Sequence, residues 1–165
     1  MPHRSMTVSS AAILTILSTT PLQAQESARP DLTGTWALSA DDSEFGMSPA
    51  PDSAIIVVER ADDRVVMSRT SYIPVAGGMN VTSIDMAADG ATGEAITTDG
   101  STDASVEWDG DVLEVWIVAQ SSVGEVDVSE RWSIDGDGTR LTIDRLIEVP
   151  DMGEFEQTLV FTKRE

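Results

Sequence analysis

The sequence predicts an all-β fold: an antiparallel up-and-down β-barrel of about eight to ten strands that follows an N-terminal signal peptide. Three observations predict this fold. From Asp31 onward, short runs rich in β-branched residues alternate between apolar and polar positions, which is the pattern of strands with one buried face. Asp-Gly pairs and Pro/Gly clusters separate these runs. No stretch shows the periodicity of an amphipathic helix.

Residues 1–24 have the three parts of a secretory signal peptide. Arg4 gives a positive start, residues 11–17 form a short apolar stretch, and a small-residue cleavage site ends at Ala24. The apolar stretch is too short to span a bilayer, so we expect no membrane span. We therefore expect a signal peptide at 1–24, a single barrel domain at 25–165 and a periplasmic or secreted location.

The sequence after the signal peptide predicts ten strands joined by turn residues. Asp-Gly suits the positive φ angles of tight hairpins, so each separator favours a reversal of the chain. A long antiparallel meander is best stabilised by closing on itself, because closure removes exposed sheet edges. The expected strands are 33–39, 53–60, 64–73, 79–86, 93–98, 103–108, 111–119, 125–134, 139–149 and 154–163. The separators include 61–63, 74–78, Asp89-Gly90, Asp99-Gly100, Asp109-Gly110, 135–138 and 150–153.

Composition excludes several kinds of chemistry. The chain has no cysteine, and its one histidine, His3, lies inside the signal peptide. The mature protein therefore lacks disulfides, thiolate nucleophiles, the commonest general base and the commonest transition-metal ligand. Residues 135–138 resemble the start of a calcium loop, but Arg140 stands where that loop needs its glycine. We expect no metal and no cofactor.

The charge balance limits the partners. The formal net charge is −19, and all 29 acidic residues follow position 24. Such a field repels nucleic-acid phosphates and anionic membrane surfaces, so neither is an expected partner. A basic protein remains a candidate partner.

One family resemblance follows from short motifs spread along the chain. Gly34-Thr35-Trp36 on the first expected strand resembles the start of calycins, which include lipocalins, avidin-like proteins and fatty-acid-binding proteins. The loop 42–46 (Asp-Ser-Glu-Phe-Gly), the hairpin 108–110 (Trp-Asp-Gly) and the ending 156–163 make the chain more similar to secreted bacterial lipocalin-like domains of unknown function.

The resemblance implies structural roles for three residues. In lipocalins the tryptophan of the Gly-x-Trp motif closes the barrel floor and packs under a basic side chain from the last strand. The matching residues here are Gly34 and Trp36 with Lys163, or Arg164 in its stead. Lipocalin motifs of the middle strands are not recognisable, so the resemblance implies no particular ligand.

Polar residues on apolar strand faces are the candidate functional residues. Charged groups are rarely buried unless they are paired. In one interpretation Glu130 pairs with Arg145 or Arg69 and completes the interior; in the other, an arginine is left to bind a ligand carboxylate or phosphate. Trp132 shares the face of Glu130, and Tyr72 lies near an expected rim. Period-two alternation gives the inward polar set as Arg69, Glu130, Arg145 and Gln157.

Three hypotheses for function follow. The first is a barrel that binds a small hydrophobic or amphipathic molecule, anionic in one version. The second is a cofactor-free isomerase, cyclase or hydratase, with Glu130 as acid/base and Arg69 or Arg145 stabilising an oxyanion. The third is an acidic protein-interaction module. The candidate ligand contacts of the first hypothesis are Arg69, Tyr72, Glu130, Trp132, Arg145 and Gln157.

Overall fold

The structure, a computed structural model, describes residues 29–74, 78–121 and 124–165. The signal peptide expected at 1–24 lies outside the described residues. The described residues form ten strands and one short 3-10 helix, Ala40–Asp42. The strands are β1 (Gly34–Leu38), β2 (Ser53–Ala61), β3 (Arg64–Ile73), β4 (Gly78–Ala87), β5 (Gly93–Thr97), β6 (Gly100–Asp109), β7 (Val112–Ser121), β8 (Gly124–Ile134), β9 (Arg140–Val149) and β10 (Gly153–Arg164).

The strands form one closed antiparallel barrel in which each strand pairs with its neighbours in the chain. β1 completes the ring, because Trp36 pairs with Lys163 of β10 on one side and with Ile56 of β2 on the other. The all-β, up-and-down barrel prediction is therefore confirmed. The largest boundary difference is at β6, which begins at Gly100 because that residue already pairs with Thr97 across a tight turn.

The ladder is thinnest between β4 and β5. Only two residue pairs, Thr82 with Thr97 and Ser83 with Ile96, join these strands before they diverge. The connection that follows β4 is hydrogen-bonded to other parts of the barrel instead: Ala88 N–H donates to Asp63 O in the turn between β2 and β3, and Gly90 N–H donates to Val106 O of β6. No helix within the described residues has the length and apolar content needed to cross a membrane.

The two ends of the barrel differ. The closed end, where β1 begins, is filled by side chains: Trp36 and Leu32 are fully buried, and Trp36 Nε1 donates to Leu32 O at 2.9 Å. The ammonium of Lys163 lies 5.1 Å from the centroid of the Trp36 ring, so Lys163, and not Arg164, covers the tryptophan. The open end is where β1 ends, and among the described residues it carries the connections 39–52, 98–99 and 150–152.

The β1–β2 connection, residues 39–52, folds back along β10. Glu44 N–H donates to Thr158 O at 2.7 Å and Thr158 N–H donates to Glu44 O at 2.9 Å. Gly46 has φ +58°, and a Cβ there would lie 2.8 Å from Glu156 O, so glycine permits this close approach. The connection therefore brings Phe45 against the interior at the open end.

We expect Gly34→Ala to destabilise the barrel by about 1–3 kcal/mol. Gly34 has φ +131°, which L-residues rarely adopt, and a Cβ would lie 2.7 Å from Lys163 Cε, the side chain that covers Trp36. Urea unfolding followed by tryptophan fluorescence measures the change. Gly136→Ala is the control, because a Cβ added at that glycine would meet no other atom within 4 Å. Equal stability of the two variants would contradict this role for Gly34.

Candidate functional site

Three charged side chains meet inside the barrel, and we call them the arginine–glutamate cluster: Arg69, Glu130 and Arg145. Glu130 is 2% exposed. Arg69 binds it with both terminal nitrogens, Nη1 to Oε1 at 2.7 Å and Nη2 to Oε2 at 2.6 Å. Arg145 Nε donates to the same Oε1 at 2.8 Å. The structure thus forms both ion pairs that the sequence offered as alternatives, and one carboxylate serves two guanidinium groups.

Strand register assembles this cluster. Glu130 of β8 is directly opposite Arg145 of β9, which is directly opposite Gln157 of β10. Arg145 Nη1 donates to Gln157 Oε1 at 3.2 Å, and Gln157 Nε2 donates to Phe45 O at 3.1 Å. Three adjacent strands thus supply one polar row, and Arg69 reaches this row from β3.

Trp132 supports the cluster on the side of the closed end. Its Nε1 donates to Glu130 Oε2 at 2.8 Å, and its ring lies 5.4 Å from the Arg69 guanidinium carbon. With these contacts, both carboxylate oxygens of Glu130 accept at least two hydrogen bonds each. Trp132 is 1% exposed, so it packs beneath the cluster.

A cavity of about 410 Å³ lies between the cluster and the open end. Arg69, Arg145 and Gln157 line its floor, whereas Glu130 and Trp132 do not line it. Within the described residues, Arg69 Nε is buried and has no hydrogen-bond partner. The walls are mainly apolar and include Leu38, Phe45, Pro49, Pro51, Ile73, Ala119, Val126, Val128, Ile147 and Leu159.

The electrostatics of the cluster favour a permanent charge on Glu130. Burial by itself would raise the pKa of this carboxyl, but the charges of Arg69 and Arg145 outweigh burial and hold the pKa well below its usual range. Burial lowers the pKa of Arg145, and Glu130 opposes that effect. Since the carboxylate has no proton to give and both oxygens are occupied, this geometry disfavours the acid/base role considered for Glu130.

The remaining predicted contact, Tyr72, lies apart from the cavity. Arg69, Ser71 and Ile73 of β3 face inward and line the cavity, so Tyr72, which alternates with them, faces outward and is 43% exposed. The apolar residues that line the cavity were not among the predicted contacts, although those on strands lie on the inward faces that period-two alternation identifies. Phe45 carried no such signal, because the β1–β2 connection alone brings it to the cavity.

Comparison with known proteins bears on the fold. Neither a protein-family model nor a curated protein sequence matches this chain. The structure is similar to that of zebrafish ileal bile acid-binding protein complexed with cholic acid, with a TM-score of 0.52 and 15% identity over 80% of this chain and 98% of that one. Rv2717c from M. tuberculosis gives a TM-score of 0.48 and 13% identity over 81% and 93% of the two chains. The zebrafish structure shows that this chain has a calycin-like barrel.

We expect Glu130→Gln to cost about 3–5 kcal/mol of unfolding free energy at neutral pH, because it leaves two buried guanidinium groups without a counter-charge. The folded pKa of Glu130 is depressed, so its contribution is complete above the unfolded pKa and is lost as pH falls toward the folded pKa. Urea unfolding of both proteins at several pH values measures the difference.

The gap in stability between the wild type and Glu130→Gln is expected to shrink by about 2 kcal/mol between pH 7 and roughly pH 3. Glu148→Gln is the control, because Glu148 is an exposed carboxylate of β9. A gap that stays constant with pH would contradict the depressed pKa of Glu130.

Proposed function

We propose that this protein binds a small amphipathic molecule that carries one anionic group. The apolar part would occupy the barrel cavity, and the anion would contact the cavity floor. The observation that carries the proposal is that Arg69 and Arg145 share a single carboxylate at the base of an apolar-walled cavity.

Charge balance supports an anion. The cluster holds two guanidinium groups against one carboxylate, so it has a formal excess of one positive charge. A buried charge without a partner is costly, and a monoanionic ligand would neutralise this excess. Guanidinium groups also keep donors after binding Glu130, since each carries five N–H groups in a fork that suits carboxylate and phosphate oxygens.

The size and lining of the cavity support a small ligand. A volume of about 410 Å³ falls within the ordinary range for ligand sites, roughly 300–1,000 Å³. Apolar walls with a few convergent polar groups are the usual composition of such sites. Cholic acid, the compound complexed with the zebrafish protein of similar fold, is an amphipathic molecule with a hydroxylated steroid ring system and a carboxyl group. That chemistry agrees with the proposed ligand class.

The proposal includes export, on the strength of the pattern in residues 1–24. The protein recovered from the periplasm or medium of a bacterial host that expresses the full chain is expected to begin at Gln25. Intact-mass measurement of that protein checks the cleavage. A chain that stays in the cytoplasm with residues 1–24 attached would contradict export without bearing on ligand binding.

Two fluorescent probes test the charge preference. Anilinonaphthalene sulfonate has an apolar aromatic body and one negatively charged sulfonate group, whereas phenylnaphthylamine has a similar aromatic body and no charge. We expect Arg145→Leu to weaken binding of the sulfonate by about tenfold, because a charge-assisted hydrogen bond is lost, and to change binding of the neutral probe by less than about twofold. Arg69 still pairs with Glu130, so the barrel should fold. Fluorescence titration measures both affinities.

Arg131→Leu is the matched control, since Arg131 is a half-exposed arginine of β8 that pairs with Glu114 and Asp109 on the outer face. It makes the same change of net charge and is expected to leave both affinities unchanged. Ala119→Trp, at the cavity wall, is expected to abolish binding of both probes. Sulfonate binding that survives both Arg145→Leu and Ala119→Trp would contradict the proposed site.

A further inference from the structure

We propose that the open end of the barrel is a docking face for a basic protein surface that also presents apolar side chains. The docking rests on the outer surface alone. Only its consequence, that a docked partner would cover the mouth through which ligand enters, rests on the proposed function.

Basic residues are segregated from the open end. Apart from Arg69 and Arg145 in the interior, every Lys and Arg in the described part of the chain lies in the half of the barrel nearer the closed end. Several of them are already paired there with acids, as Arg60 is with Asp62 and Arg64 is with Asp85. This outward basic set is Arg29, Arg60, Arg64, Arg131, Arg140, Lys163 and Arg164.

Six acidic residues near the mouth form no ion pair with a basic residue in the described part of the chain. They lie in the open-end connections or within two residues of the strand ends there, and all are exposed. Three further exposed acids of the 39–52 connection, Asp41, Asp42 and Glu44, are not counted among them, because this part of the connection folds back along β10, where Asp42 pairs with Arg140 at 3.5 Å. With the arginines at the far end, little nearby positive charge offsets this field, so the mouth attracts cationic groups. The mouth acids are Asp52, Asp99, Glu125, Glu148, Asp151 and Glu154.

Exposed apolar side chains occupy the same end. Among the described residues, five large hydrophobic side chains are strongly exposed, and all five lie in the open-end connections or within two residues of the strand ends there. Met47, Met79 and Met152 are 81%, 61% and 61% exposed, and Tyr72 is paired with Met79 across β3 and β4. Methionine is a flexible side chain that adapts to different contact surfaces, which makes it suitable for a surface that meets a partner.

The combination of acidic and exposed apolar side chains around the mouth favours a protein as the molecule that docks there. Anionic membranes and nucleic acids carry the same sign of charge as the mouth and would be repelled. A protein surface with lysines or arginines around an apolar centre would match both the acids and the methionines, because electrostatic complementarity steers docking while buried apolar contacts stabilise it.

Labelled peptides of defined chemistry test the proposal by fluorescence anisotropy on the mature chain. The probe is an amphipathic helical peptide of lysine and leucine, and its counterpart replaces every lysine by glutamate. We expect the lysine peptide to bind, with an affinity that falls as salt rises, and the glutamate peptide not to bind. No binding of the lysine peptide, or equal binding of the two, would overturn the proposal.

Two variants with the same net charge separate local docking from general attraction. The mouth variant is expected to lose about tenfold in affinity for the lysine peptide, and the closed-end variant less than about twofold. Equal losses would overturn the proposal, because they would show that only net charge matters. The mouth variant is Asp52→Asn, Glu148→Gln, Asp151→Asn and Glu154→Gln; the closed-end variant is Glu59→Gln, Glu94→Gln, Asp111→Asn and Glu165→Gln.

A third variant tests the apolar component, with Met47, Met79 and Met152 each changed to Gln. We expect about a fivefold loss of affinity for the lysine peptide, because the thioether side chains lose their buried contact. Unchanged affinity would overturn the apolar part of the docking face. Methionine-dependent binding of the mature chain to phosphatidylcholine vesicles would instead identify a membrane as the occupant and overturn the protein assignment. Neither readout uses the cavity ligand, so a failure of docking is distinguishable from a failure of ligand binding.

Discussion

The ion pairs of Glu130 are the interaction on which the interior depends. A carboxylate that is 2% exposed is tolerable only with compensating partners, and this one has two guanidinium groups and an indole N–H. Trp132 lies on the same strand as Glu130 and Arg145 on the adjacent strand, whereas Arg69 reaches Glu130 from β3, so the complete cluster forms only when the sheet has curved round to bring β3 and β8 together. Gln157 extends the network from Arg145 to Phe45, and thereby joins the interior charges to the connection that borders the mouth.

The arginine–glutamate cluster divides the interior of the barrel into a packed part and a cavity. Toward the closed end the space is filled by large side chains, with Trp132 directly beneath the cluster and Trp36 at the base. Toward the open end a cavity remains, and small inward residues such as Ala54, Ser71 and Ala119 are part of its lining. The cluster is therefore the upper boundary of the packed core and the floor of the cavity, so the same ion pairs serve stability and recognition.

The barrel itself follows closely from the sequence. All ten expected strands exist, and the separators within the described residues lie at their turns, because hairpin chemistry and period-two alternation are local properties. Alternation also placed Arg69, Glu130, Arg145 and Gln157 on inward faces, where the structure has them. By the same alternation Tyr72 faces outward, so its nearness to the rim along the chain does not bring it to the cavity.

The sequence by itself determined the strand order, the inward faces and the presence of unmatched positive charge in the interior. Tertiary structure alone decided that Arg69 and Arg145 share Glu130, that Phe45 borders the cavity, and that basic residues cluster at one end while acids and methionines surround the other. The physical reason is the distance along the chain over which each kind of interaction acts. Alternation and turn chemistry act between residues near in sequence, whereas Arg69 and Glu130 are 61 residues apart and meet only across a closed barrel.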